Sequence, residues 1–157
     1  MFWKALTALA GAATVAACVG SSPDAIDYKQ LARERGAETL AACQATQCST
    51  LNLDGMHLAD FTVLNDMPHV TAVMLSRSNI TSLDDLSGMT QLRELHIAGT
   101  EVTDLTALSA FPNLTLLHVS SMTAATDFTP VHALTGLREL AIDVSGGADI
   151  AFVARMR

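Results

Sequence analysis

From Cys48 to Arg157, apolar and polar positions recur with a period of 22 residues. The units begin at Cys48, Val70, Leu92, Leu114 and Leu137. The fourth position of each is Leu51, Val73, Leu95, Leu117 and Leu140, and the sixth is Leu53, Leu75, Ile97, Val119 and Ile142. Apolar residues on either side of one outward position give the period of two that marks a strand. Later apolar residues recur every three, as in Phe61, Leu64 and Met67 or Leu105, Leu108 and Phe111. That spacing predicts compact turns, 3₁₀-like or a short helix. No single unit can bury its apolar side, so the units must stack on a shared core. The pattern predicts an α/β solenoid with about five parallel strands on its concave side.

The period has irregularities. Unit four carries one extra residue near 124–126, and in unit five Gly147 stands where a large apolar side chain is expected. Asp60, Asp104 and Asp127 recur at or near one repeat position. They read as bend-capping residues rather than as a pair of catalytic acids.

Residues 24–47 differ in character. Ser22-Pro23-Asp24 suits a helix start, with an N-cap, a tolerated Pro and an acid near the positive end of the dipole. The segment to about Thr46 is rich in good helix formers, with Gly36 as a point where it can bend or divide. Ile26, Leu31, Leu40 and Cys43 can share one side. A helix here would cap the apolar edge of the first unit; an amphipathic partner-binding helix is the competing reading. Cys43 would end the cap and Cys48 would open the first strand. The two can pair as a disulfide in an oxidising compartment or remain buried thiols.

The repeat resembles leucine-rich repeats of the short 22-residue bacterial type, with its TxVTDLxxL segment. Thr100-Glu101-Val102-Thr103-Asp104-Leu105 matches it, and Ser78-Asn79-Ile80-Thr81-Ser82-Leu83 is close. The resemblance covers 48–157 and implies a horseshoe that binds protein partners on its concave strand face. One departure concerns position nine, where many such repeats carry Asn. Here it is Met56, Ser78, Thr100, Met122 and Ser145. Weaker hydrogen bonding is expected at the bends of units one and four, and Asn79 is one place out of step.

Outward strand positions three, five and seven form three columns. Thr50, Ala72, Glu94, Leu116 and Glu139 make the first. Asn52, Met74, His96, His118 and Ala141 make the second, and Asp54, Ser76, Ala98, Ser120 and Asp143 the third. Strands about 4.8 Å apart make His96 and His118 neighbours, with Glu94 and Glu139 flanking them. Met74, Glu94, His96, Leu116, His118 and Glu139 are the candidate protein-binding residues. Imidazoles beside carboxylates also suit a metal, and histidine titrates near neutrality. Ordinary exposed polar side chains remain the plainest account of the cluster, and no metal is assigned.

The first residues, MFWKALTALAGAATVAAC, read as a secretory signal with Lys4 before an apolar run from Ala5 to Ala17. That run is too short to span a bilayer as a helix, which needs about 20 residues. Val15-Ala16-Ala17-Cys18 resembles the lipobox of bacterial lipoprotein signal peptides. The resemblance implies a signal peptide at 1–17, a Cys18 that is diacylated and becomes the first residue, and a tether at 18–23. Val19, where an inner-membrane lipoprotein often has Asp, leans the expected location toward the outer membrane.

The formal charge is -7. Between Leu51 and Leu137 the only Lys or Arg residues are Arg77 and Arg93. Nucleic acid requires a basic stripe to neutralise phosphates, so no nucleic-acid partner is expected. The chain has no GxSxG, HExxH, CxxC or phosphate-cradling Gly loop, so neither an enzyme nor a cofactor is expected. The functional expectation is a lipid-anchored envelope protein whose repeats form a scaffold for an unidentified protein partner. The alternative is a structural envelope protein that self-associates as a homo-oligomer through an uncapped C-terminal repeat.

Overall fold

A computed structural model describes residues 26–143. Cys18, the tether and the signal segment lie outside those residues. So do Ser22-Pro23-Asp24, Gly147 and the end of unit five. One helix, α1 (Tyr28–Thr46), precedes five three-residue strands. These are β1 (Thr50–Asn52), β2 (Ala72–Met74), β3 (Glu94–His96), β4 (Leu116–His118) and β5 (Glu139–Ala141). They form one parallel sheet in chain order. The return of each of the first four units carries a short 3₁₀ turn: Thr62–Asp66, Asp84–Leu86, Thr106–Ala110 and Thr129–Ala133. The expected solenoid, with strands on one side and compact turns on the other, is what the chain forms. No helix among the described residues is long and apolar enough to cross a membrane.

The core is the aliphatic ladder anticipated from the repeat. Leu51, Val73, Leu95 and Leu117 are buried across four strands, and Leu53, Leu75, Ile97 and Val119 form the layer beside them. Leu64, Leu86, Leu108 and Val131, the third residue of each 3₁₀ turn, bury the returns against the same core. Each fully buried side chain of this size contributes about 1.5–3 kcal/mol. The extra residue of unit four leaves the strand register intact, since Leu116 pairs with Glu139 just as Glu94 pairs with Leu116. It is absorbed in the loop, where Ala125 is buried at the place taken by Ile80 and Val102 in the units before.

Turn chemistry repeats as faithfully as the core. Asp60, Asp104 and Asp127 each accept the backbone N–H two residues on, from Thr62, Thr106 and Thr129, at 2.8 Å. In unit two Ser82 does the same for Asp84 at 3.1 Å. These bonds hold all three carboxyls below the ordinary Asp value. The side-chain bond to Thr62 leads for Asp60, the backbone bond to Thr106 for Asp104, and the side-chain bond to Thr129 for Asp127. All three lie at the surface, and their placement matches bend capping.

The bends themselves require a correction. Asn79 is not idle. Its side chain accepts from Leu58 N–H at 3.0 Å and donates to the Leu58 carbonyl at 2.9 Å, tying unit two to unit one. The bend of unit one also keeps a backbone bond from Met56 N–H to the Leu53 carbonyl. Position eight of units one to four is left-handed: Gly55 at φ 66, Arg77 at φ 57, Gly99 at φ 64 and Ser121 at φ 56. That turn aims the N–H of Gly55, Arg77 and Gly99 at the position-seven carbonyl of the next unit, at 2.8–2.9 Å. At the bends of units one to three, a backbone ladder therefore does what an Asn column would do.

The helix also differs from expectation. It begins at Tyr28, with Asp27 as N-cap accepting from Lys29 and Gln30, rather than at Asp24. Asp accepts these orphan amides well. Ile26 and Leu31 do not join the buried side; they are 64% and 42% exposed. Gly36 does not divide the helix. It is buried at the contact with unit one, where a Cβ would run into the His57 carbonyl oxygen and lie 3.2 Å from Leu58 Cδ2. The neighbouring His57 N–H donates to the Ala32 carbonyl at 3.1 Å. The helix thus closes the β1 end of the stack through Gly36, Leu40 and Cys43. Cys43 and Cys48 are disulfide-bonded, with their Cα atoms 4.9 Å apart.

Candidate functional site

The strand register sets the site. Met74, His96, His118 and Ala141 are consecutive partners across β2 to β5, and Ala72, Glu94, Leu116 and Glu139 form the column beside them. Because alternate strand residues point to one face, both columns stand outward from the core residues Val73, Leu95 and Leu117. Met74, Glu94, His96, Leu116 and His118 are each half-buried, and Glu139 is exposed. Ala72 departs from the outward set: its single methyl, between Thr50 and Glu94 in register, is buried.

His96 and His118 meet edge to face, with ring centroids 5.5 Å apart and planes at 70°. His118 Nε2 is 3.0 Å from the Ser120 hydroxyl. The two glutamates do not close on this pair. Glu94 and Glu139 sit in the adjacent column with Leu116 between them. Among the described residues no group of three His, Cys, Asp or Glu side chains is placed to hold a metal ion. Glu94 and Glu139 thus stand in the column next to the imidazoles, as the outward strand positions predict.

A groove of about 380 Å³ opens at the end of the strands. Ser76, Arg77, His96, His118, Ser120 and Ser121 line it. Asp54 also borders it, with its carboxylate accepting Ser76 N–H at 2.7 Å. A second hollow of about 230 Å³ lies between α1 and unit one, bordered by Tyr28, Leu31, Arg35 and the same Asp54. The concave face therefore continues onto the helix, where Tyr28 is 74% exposed. Sequence reasoning missed Arg77 and Ser121 because position eight is not a strand position. The signal available was Gly55 and Gly99 in step, which marks a left-handed turn and so a place where any other side chain is displayed.

No protein-family model matches the chain, and no curated protein matches it. Solved structures do. Internalin C2 of Listeria monocytogenes is similar at 27% identity and a TM-score of 0.59, over 75% of this chain and 52% of that one. A second internalin of that organism, inlF, is similar at 22% identity and a TM-score of 0.55, over 69% of this chain and 38% of that one. The chain thus spans about half the length of internalin C2. Five parallel strands in one sheet, one N-terminal helix and this likeness give the chain a leucine-rich-repeat fold of the internalin type.

Proposed function

We propose that this chain is a protein-interaction module of the bacterial cell envelope that holds a partner on its concave face. One observation carries the proposal: half-buried Met74, Leu116, His96 and His118 stand in register on one face, beside a groove that no described residue fills. Mixed apolar and aromatic groups with displayed donors are what a binding surface needs, whereas a merely solvated sheet face carries short polar residues. The fold supports the same conclusion, since a solenoid supplies an extended concave surface. Nothing in the chain's motifs calls for catalysis, and the proposed role is binding.

The lipobox-like Val15-Ala16-Ala17-Cys18 supports anchoring through an acylated Cys18, and Val19 supports the outer membrane. Two or more acyl chains anchor a protein stably where one does not. The test has two parts. Partner recovery with Met74→Glu and His118→Ala should fall while the variant folds normally; unchanged recovery counts against this face. Fatty-acid labelling should vanish in Cys18→Ala, and labelling that persists rejects the anchor.

A further inference from the structure

We infer that the groove under Arg77 is a receptor for a carboxylate carried by the protein partner, an Asp or Glu side chain seated against the Arg77 guanidinium. This rests on the concave-face function proposed above. Arg77 occupies a left-handed backbone position that two other units fill with glycine. Such a conformation is strained for a residue with a Cβ, and strain of this kind gathers at binding and switch sites. The side chain is also placed. A Cβ on Gly99 would come within 3.2 Å of Arg77 Cγ, so the arginine stem lies against unit three, and both residues line the groove.

That head has work left to do. Its guanidinium makes no hydrogen bond or ion pair with any described residue. Asp54, the carboxylate on the same groove, accepts Ser76 N–H at 2.7 Å and keeps its charge, so an incoming acid has to seat on the Arg77 side, away from it. The groove lining adds the Ser76 hydroxyl, the His96 imidazole, and one donor from the His118–Ser120 pair, whose members bond each other at 3.0 Å. A planar guanidinium matches a carboxylate two bonds at a time. One fixed cation in a chain of formal charge -7 suits one negative charge better than a doubly charged phosphate. Apolar residues on either side of the acid would rest on Met74 and Leu116, in register with His96 and Glu94 respectively.

The probe is an extended peptide, acetyl-Ala-Leu-Glu-Leu-Ala-amide, titrated into the purified full chain and followed by the NMR signals of the Arg77 guanidinium and the two imidazole rings. Its Gln counterpart is the control. The Glu peptide should bind at least about tenfold more tightly, the scale of one charge-assisted contact. Arg77→Gly should remove that discrimination while leaving the chain at least as resistant to heat, because the left-handed strain goes with the side chain. Equal binding of the two peptides overturns the inference, as does discrimination that survives Arg77→Gly. So does acetate or phosphate binding as tightly as the peptide, which would make the groove a small-anion site. Undiminished partner recovery by Arg77→Gly, with peptide discrimination absent in the parent, overturns this inference and leaves the concave-face function standing. Partner recovery indifferent to every concave-face substitution overturns the broader proposal, and with it the source of the carboxylate.

Discussion

Replacing Gly36 by Ala tests how the helix closes the stack, because two effects of opposite sign meet at one atom. In an exposed helix interior the change stabilises by about 1 kcal/mol, since Ala is the best helix former and Gly among the poorest. Here the new Cβ runs into the His57 carbonyl oxygen, a backbone atom that cannot swing aside, and sits 3.2 Å from both the His57 carbonyl carbon and Leu58 Cδ2. Overpacking against well-ordered atoms costs about 1–3 kcal/mol. Moving the loop away also weakens the bond from His57 N–H to the Ala32 carbonyl, which contributes about 1 kcal/mol. The overpacking and lost bond outweigh the propensity gain, and the net expectation is a loss of about 1–3 kcal/mol. With a urea m-value of about 2 kcal/mol/M, the midpoint should fall by about 0.5–1.5 M. Hydrogen exchange at the His57 amide should accelerate as well. A Gly36→Ala chain whose midpoint rises would show that the helix does not approach unit one this closely, and the account of the cap would fail.

Further outcomes follow from the same structure. Leu95→Ala, in the fully buried centre of the middle strand, should cost about 2–5 kcal/mol by denaturant unfolding. Gly55→Ala should cost about 1–2 kcal/mol from backbone strain alone, because an added Cβ there meets no atom within 4 Å. The same change at Gly99 should cost slightly more, as its Cβ meets Arg77 Cγ at 3.2 Å. The lowered carboxyls of Asp60, Asp104 and Asp127 support the fold in their charged form. That contribution is complete above the unfolded Asp value of about 3.9 and is lost as pH falls through the lower folded values. Carboxyl NMR titration should place all three below the ordinary Asp value. Cutting the Cys43–Cys48 bond with Cys43→Ser and Cys48→Ser should cost about 2 kcal/mol, the chain-entropy value for so short a loop.

Much of the fold is legible in the chain because each unit restates it. Leu51, Val73, Leu95 and Leu117 recur in step, and a period of two followed by a period of three can be satisfied only by a strand and a tight return. The outward columns follow from that alternation, and His96 beside His118 needs nothing more than register. What the sequence hides is governed by close approach and by backbone sign. Gly36 looks like a helix breaker until the His57 carbonyl is in place against it. Asn79 looks misplaced because it bonds a neighbouring unit, not its own. Arg77 lies outside the strand pattern, so its display over Gly99 depends on a left-handed turn that residue type alone conceals. Ile26 and Leu31 mislead for the opposite reason: a helix with little apolar asymmetry can pack through a glycine and a cysteine and leave its large residues exposed.

The measurement closest to the central claim is site-specific photo-crosslinking in living cells. A photoreactive residue is placed at Met74 or Leu116 on the concave face, and at Asp66 or Ser109 on the 3₁₀ side. The account predicts a discrete adduct to one protein from the first pair and none from the second. Adducts from Asp66 and Ser109 with silence at Met74 and Leu116 would contradict it.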